Sequence, residues 1–151
     1  MGAGIVTEAK TKTPTETRDD YPYRLAIPTR WIDNDMLGHV NNVVFYRYFE
    51  TIIVKFLIDC GLDWKKDRVV GFTVESLCRY WRPLSYPETI DAGLKVGRLG
   101  RTSCRYEIGL FGENSPAPAA TGYFVHVFVD RDSEKPEPVP AKLRRALERY
   151  R

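Results

Sequence analysis

The feature that most restricts this chain is the stretch from residue 42 to residue 60, in which apolar side chains recur at three- and four-residue steps. Phe45, Tyr48, Phe49, Ile52, Ile53, Phe56, Leu57 and Cys60 form one broad stripe, and Arg47, Glu50, Thr51, Lys55 and Asp59 fall on the other side. That period is helical, and a stripe so wide has to lie against another apolar surface. Asn41 or Asn42 offers a side-chain oxygen to cap the start, and Gly61 stands where a left-handed residue commonly ends a helix. The spacing predicts a helix over residues 42–60.

The rest of the chain supplies the partner surface. Tyr23, Leu25, Ile27, Thr29 and Trp31 alternate with Arg24, Ala26, Pro28 and Arg30, which predicts a first strand ending near Trp31. After a polar stretch over residues 62–68, residues 69–81 read as a long strand closed by Arg82-Pro83. Ile90, Ala92, Leu94 and Val96 alternate with polar or small residues, and Cys104, Tyr106, Ile108 and Leu110 repeat the pattern beyond a Gly-rich turn, as two arms of a hairpin. Residues 119–129 are apolar on both faces, as a central strand is. Pro140 precedes Leu143, Ala146, Leu147 and Tyr150, a short terminal helix. The order is strand, long helix, four strands, short helix. With no βαβ alternation, an antiparallel sheet around one helix is expected, in the α+β class.

At 151 residues the chain suits one domain over residues 21–151, preceded by a flexible tail over 1–20 that has almost no apolar content after Val6. The net charge of +3 is spread among 20 acidic residues, which argues against nucleic-acid binding. The three cysteines are far apart and there are two histidines, so neither a disulfide framework nor a metal site is indicated. No apolar run is long enough to span a bilayer and the N-terminus lacks a secretory pattern. A soluble cytoplasmic protein that needs no cofactor is expected.

Chemistry concentrates just before the long helix. Asp33 and Asp35 lie in a polar turn with His39, and the helix start beyond them carries unpaired amides and a positive dipole end suited to an oxygen gaining charge. A carboxylate beside such an oxyanion site is the pairing that attack on a carbonyl carbon requires. The plain alternative is that these residues only form a turn. His126, flanked by Val125 and Val127, reads as a satisfied core or interface histidine rather than a ligand. Arg98 and Arg101 flank Gly100 at a hairpin turn, where their guanidinium forks could grip phosphate oxygens; a charged tip that only aids solubility is the other reading. There is no Gly-x-Ser-x-Gly elbow and no phosphate loop.

The run Asp33-Asn34-Asp35-Met36-Leu37-Gly38-His39-Val40-Asn41-Asn42, followed by Phe45, Arg47, Tyr48, Phe49 and Glu50, resembles the signature of hotdog-fold thioesterases of the 4-hydroxybenzoyl-CoA thioesterase type. It also resembles the plant-type acyl-carrier-protein thioesterases, which carry an asparagine where this chain has Leu37. The resemblance implies a hotdog fold, an antiparallel sheet wrapped around one long helix, and hydrolysis of an acyl-CoA thioester. It implies Asp35 as the catalytic carboxylate, a structural role for Asp33, and an oxyanion site at the amides near Asn42. His39 and Asn41 are assigned to orienting Asp35 or the helix start. Arg101, placed before Thr102-Ser103, matches a position that binds the coenzyme's nucleotide phosphates in relatives. A homodimer or homotetramer with shared sites is implied as well. Two alternatives stay open: a non-catalytic module binding acyl-CoA or acyl-carrier protein, and a hotdog hydratase or dehydratase, although the latter space their Asp and His five apart rather than four.

Overall fold

The computed structural model describes residues 13–151. Its main elements are β1 (Tyr23–Pro28), α1 (Asn42–Asp59), β2 (Val69–Tyr80), β3 (Thr89–Leu99), β4 (Ser103–Phe111), β5 (Ala120–Asp130) and α2 (Ala141–Glu148). The strands form one sheet in the order β1, β3, β4, β5, β2, and every neighbouring pair is antiparallel. The apolar stripe of α1 lies against this sheet, as a hotdog fold requires.

The alternation read in the sequence becomes register. Ala92, Leu94 and Val96 of β3 face Leu110, Ile108 and Tyr106 of β4, and all six are buried. Phe49, Ile52, Ile53 and Phe56 of α1 are fully enclosed above them. The helix approaches closely because β5 carries Gly122, where a Cβ would stand 2.6 Å from the Phe49 ring. Burial of one such aromatic contributes about 1.5 to 3 kcal/mol, so α1 is held chiefly by packing.

Two expectations shift. The first strand ends at Pro28 rather than Trp31. Thr29 turns its N–H and hydroxyl to the Glu88 carbonyl, and Trp31–Asp33 form a 3-10 turn that leaves Trp31 exposed instead of on the buried face. The tail expected over residues 1–20 lies, for residues 1–12, outside the described residues. Arg18–Asp20 form a 3-10 turn. Arg18 donates from Nε to Asp91 at 2.9 Å and from its terminal nitrogens to the Ser115 and Gly112 carbonyls, so the ordered domain begins before residue 21. Among the described residues no helix is long and apolar enough to cross a membrane.

Candidate active site

The turn before α1 is built by Asp33. This carboxylate is 0% exposed. It accepts from the Arg30 N–H at 2.8 Å, from Arg30 Nε and Nη2 at 3.1 and 2.8 Å, and from the Tyr48 hydroxyl at 2.7 Å. Burial opposes its charge, but the bonds from Arg30 and Tyr48 outweigh burial and hold it below the usual aspartate value. The Asp33 carbonyl in turn accepts from the Asn41 N–H at 2.9 Å, which ties the turn to the helix start. Asp33 is therefore the anchor of the loop. The Tyr48 contact could have been suspected from its place near the start of the apolar stripe, but a tyrosine there reads as one more core residue.

From that anchor the chain makes a small hairpin over residues 34–40. Asn34 bridges to Val40, the Asp35 N–H reaches the His39 carbonyl at 2.9 Å, and Gly38, at φ +80°, closes the tip with a bond of 3.0 Å to the Asp35 carbonyl. A neighbouring segment braces it: the Val40 N–H donates to the Leu84 carbonyl at 2.8 Å, and the Ser85 hydroxyl to the Gly38 carbonyl at 3.0 Å. Asp35 sits half-buried at the neck. Its Oδ1 accepts from the Leu37 N–H at 2.9 Å, and its Oδ2 has no partner among the described residues.

Asn41, not Asn42, caps the helix, its Oδ1 accepting from the Val43 N–H at 3.0 Å. The Val44 N–H bonds to the Asn41 carbonyl. The Asn42 N–H is left without a partner among the described residues, while the Asn42 carbonyl is held by the Tyr80 hydroxyl at 2.9 Å. A free amide at the positive end of an 18-residue helix, one residue past the cap, is an anion-stabilising donor. His39 is exposed, and its hydrogen bond with Asp35 is the backbone one, from the Asp35 N–H to the His39 carbonyl.

Arg98 and Arg101 are not brought to this place within one chain. Arg98 lies near the end of β3 and Arg101 in the turn after it, both exposed. The turn before α1 adjoins the other end of the same strand, where Pro28 pairs with Thr89. The 11 residues of β3 set the two ends about 35 Å apart at the usual strand rise. Arg144 of α2 donates to the Gly100 carbonyl and braces this tip. Among the described residues no group of three or more His, Cys, Asp or Glu side chains is placed to hold a metal ion.

The family model of the thioesterase-like superfamily matches residues 28–147, which takes in the whole helix, its preceding turn and all of β2 to β5. The chain belongs to the thioesterase-like superfamily. Membership supports thioester hydrolysis as the general activity. Among solved structures, the PA5185 protein of Pseudomonas aeruginosa strain PAO1 is 44% identical with a TM-score of 0.88, over 91% of this chain and 97% of its own. A thioesterase of Thermus thermophilus, solved with coenzyme A and zinc, is 28% identical with a TM-score of 0.75, over 87% of this chain and 96% of its own. The YsmA protein of Bacillus subtilis strain 168 is 25% identical over 121 residues, 80% of this chain and 81% of that protein.

Proposed function

We propose that this thioesterase-like protein hydrolyses an acyl-CoA thioester at the start of α1, with Asp35 as the catalytic carboxylate. The observation that carries the reading is the division of labour in the turn. Asp33 is enclosed and fully bonded, whereas Asp35, two residues on, keeps an uncommitted oxygen, and the helix that the same turn leads into starts with a free amide. Asp35 takes a proton from water as the water oxygen bonds to the thioester carbon, and the carbonyl oxygen gains its charge against the Asn42 N–H. Collapse re-forms the carbonyl, breaks the carbon–sulfur bond and returns the proton to the departing thiolate. Direct attack by Asp35 on the carbon is the other route open to this geometry, through an anhydride that water then cleaves. No metal is needed for either. The complex of the Thermus relative with coenzyme A supports CoA as the carrier.

A second copy of the chain completes the site in this reading. β2 is an edge strand of 12 residues carrying exposed Phe72 and Val74, and Val54 and Ile58 of α1 are exposed as well. A long edge with apolar side chains invites strand pairing. Assembly would let Arg101, and Arg98 beside it, grip the nucleotide phosphates of a thioester whose carbonyl lies at another copy's Asp35, and would give His39 the company it lacks in one chain.

The test is thiol release from a panel of short, long and aromatic acyl-CoAs, together with Arg101→Ala. Hydrolysis is expected, with a raised KM and nearly unchanged turnover in the variant, because a remote phosphate contact serves ground and transition states alike. Tight binding of every acyl-CoA without thiol release would favour the non-catalytic binding module instead.

A further inference from the structure

Tyr80, the last residue of β2, reaches across to the first turn of α1. Its hydroxyl donates to the Asn42 carbonyl at 2.9 Å, and its ring meets the Phe45 ring edge-on at 5.1 Å between centroids. Asn42 and Phe45 are three residues apart and so share one helix face. The backbone that carries Tyr80 is firmly held. Tyr80 pairs with Ala120 of β5, and beyond it the Trp81 and Arg82 N–H groups both donate to the Ala119 carbonyl, at 2.8 and 3.2 Å. The Trp81 indole adds a bond of 2.8 Å to the Thr121 hydroxyl. Burial, with the Cys78 thiol beside it, pushes the Tyr80 pKa up to about 12, so the hydroxyl keeps its proton near pH 7 and remains a donor.

This bond does what the rest of the turn does not. The Asn41 N–H is tied to the Asp33 carbonyl and the Val43 N–H to the Asn41 side chain, which holds the residues on either side of Asn42. On Asn42 itself, the bond from Tyr80 is the only one that comes from outside the helix among the described residues. Helix ends fray, and the aim of the free Asn42 N–H changes with the backbone of that one residue. Two magnitudes decide what the bond is for. Tyr80 is 45% exposed, so its hydroxyl would turn to water if the partner were lost, and the bond is worth about tenfold or less in the folding equilibrium. A displacement of about 1 Å at a reacting centre, by contrast, can slow a reaction by about 10². The same contact is a minor stabiliser and a strong constraint on the amide.

We propose that Tyr80 is a positioning residue: acting through the Asn42 carbonyl, it fixes the Asn42 N–H where the thioester oxygen gains its charge. This rests on the thioester reading of the helix start and adds to it a residue from the far edge of the sheet. The experiment compares Tyr80→Phe, which keeps the ring against Phe45 and removes the hydroxyl, with Tyr123→Phe, which removes a hydroxyl that donates to Glu75. Tyr123 follows Gly122 and so lies on the sheet face away from α1. With an acyl-CoA that the wild type hydrolyses, Tyr80→Phe is expected to lower kcat about 10- to 100-fold and to leave KM within about twofold, because the amide's bond strengthens as the oxygen gains charge. Tyr123→Phe is expected to keep both within about twofold. A reading made per bound molecule separates this from loss of folded protein: the carbonyl carbon NMR resonance of a ketone analogue of the acyl-CoA, with methylene in place of sulfur. That resonance moves downfield as the oxygen receives a stronger hydrogen bond, and the displacement is expected to shrink in Tyr80→Phe. A wild-type kcat in Tyr80→Phe, an equal loss in Tyr123→Phe, or a lowered kcat with the bound carbonyl resonance unmoved overturns the proposal. Should the wild type release no thiol from any acyl-CoA, the hydrolytic reading fails by itself. The positioning is then read by hydrogen exchange at the Tyr46 N–H, the ladder partner of the Asn42 carbonyl. Exchange about tenfold faster in Tyr80→Phe than in the wild type is expected, and equal exchange overturns the proposal.

Discussion

Asp33 and Asp35 belong to one turn and one charge type, yet they live in opposite surroundings. Asp33 is enclosed, takes four hydrogen bonds from Arg30 and Tyr48, and through its carbonyl holds the cap residue Asn41. Asp35 stands at the neck of a hairpin whose tip is solvent-facing, Met36 being 97% exposed, and gives one oxygen to the Leu37 amide. A carboxylate with all its lone pairs engaged is held rigidly but has nothing left for a reactant. One with a single engaged oxygen is positioned and still able to accept a proton. Stability and chemistry are thus divided between neighbours, and the same division holds along α1, whose sheet side is closed while its outer side opens on a groove.

The largest stability effect is expected outside the turn, as a reference for it. Phe49→Ala removes a fully buried ring from the closed side of α1 and should cost about 3 to 5 kcal/mol in urea unfolding. Loss of less than about 1 kcal/mol would mean that the helix is not the centre of the core. Next comes Asp33→Asn, which removes the charge that Arg30 and Tyr48 address and should cost about 1.5 to 3 kcal/mol. The folded pKa of Asp33 is depressed, so its contribution is complete above the ordinary aspartate range and is lost as pH falls through that range toward the folded value. Unfolding measured down to acid pH should show the wild-type advantage over Asp33→Asn shrinking in that direction. An advantage that grows in acid would reverse the assignment. Asn41→Ala deletes the cap and should cost about 0.5 to 2 kcal/mol. An equal loss from Asn42→Ala would indicate that the two asparagines share the task.

Much of this arrangement was legible in the residues themselves. The helix predicted over 42–60 forms over Asn42–Asp59, with Gly61 at φ +98° ending it, because period, cap and glycine all agree locally. The alternating runs became β3 and β4 for the same reason. What escaped was set by contacts distant in sequence. Trp31 fits the alternation of β1, but Thr29 finds its partner at Glu88 and the strand stops. Tyr48 carries an apolar ring and a hydroxyl, and only the folded turn shows that the hydroxyl is the part that meets Asp33. The place of β2 at the edge follows from strand order, which no local pattern states.

The smallest stability effect should come from Asp35→Asn, since asparagine keeps the Oδ1 acceptor that the Leu37 amide uses. That makes it the most direct measurement of the central claim: thiol release from an acyl-CoA that the wild type hydrolyses, followed in wild-type and Asp35→Asn proteins of matched melting temperature. Loss of the carboxylate's proton-accepting charge should lower kcat by about 10² to 10⁴. A folded Asp35→Asn protein releasing thiol at close to the wild-type rate would contradict the account, and a collapse of activity in folded Asp33→Asn instead would show that the chemistry belongs to the other carboxylate.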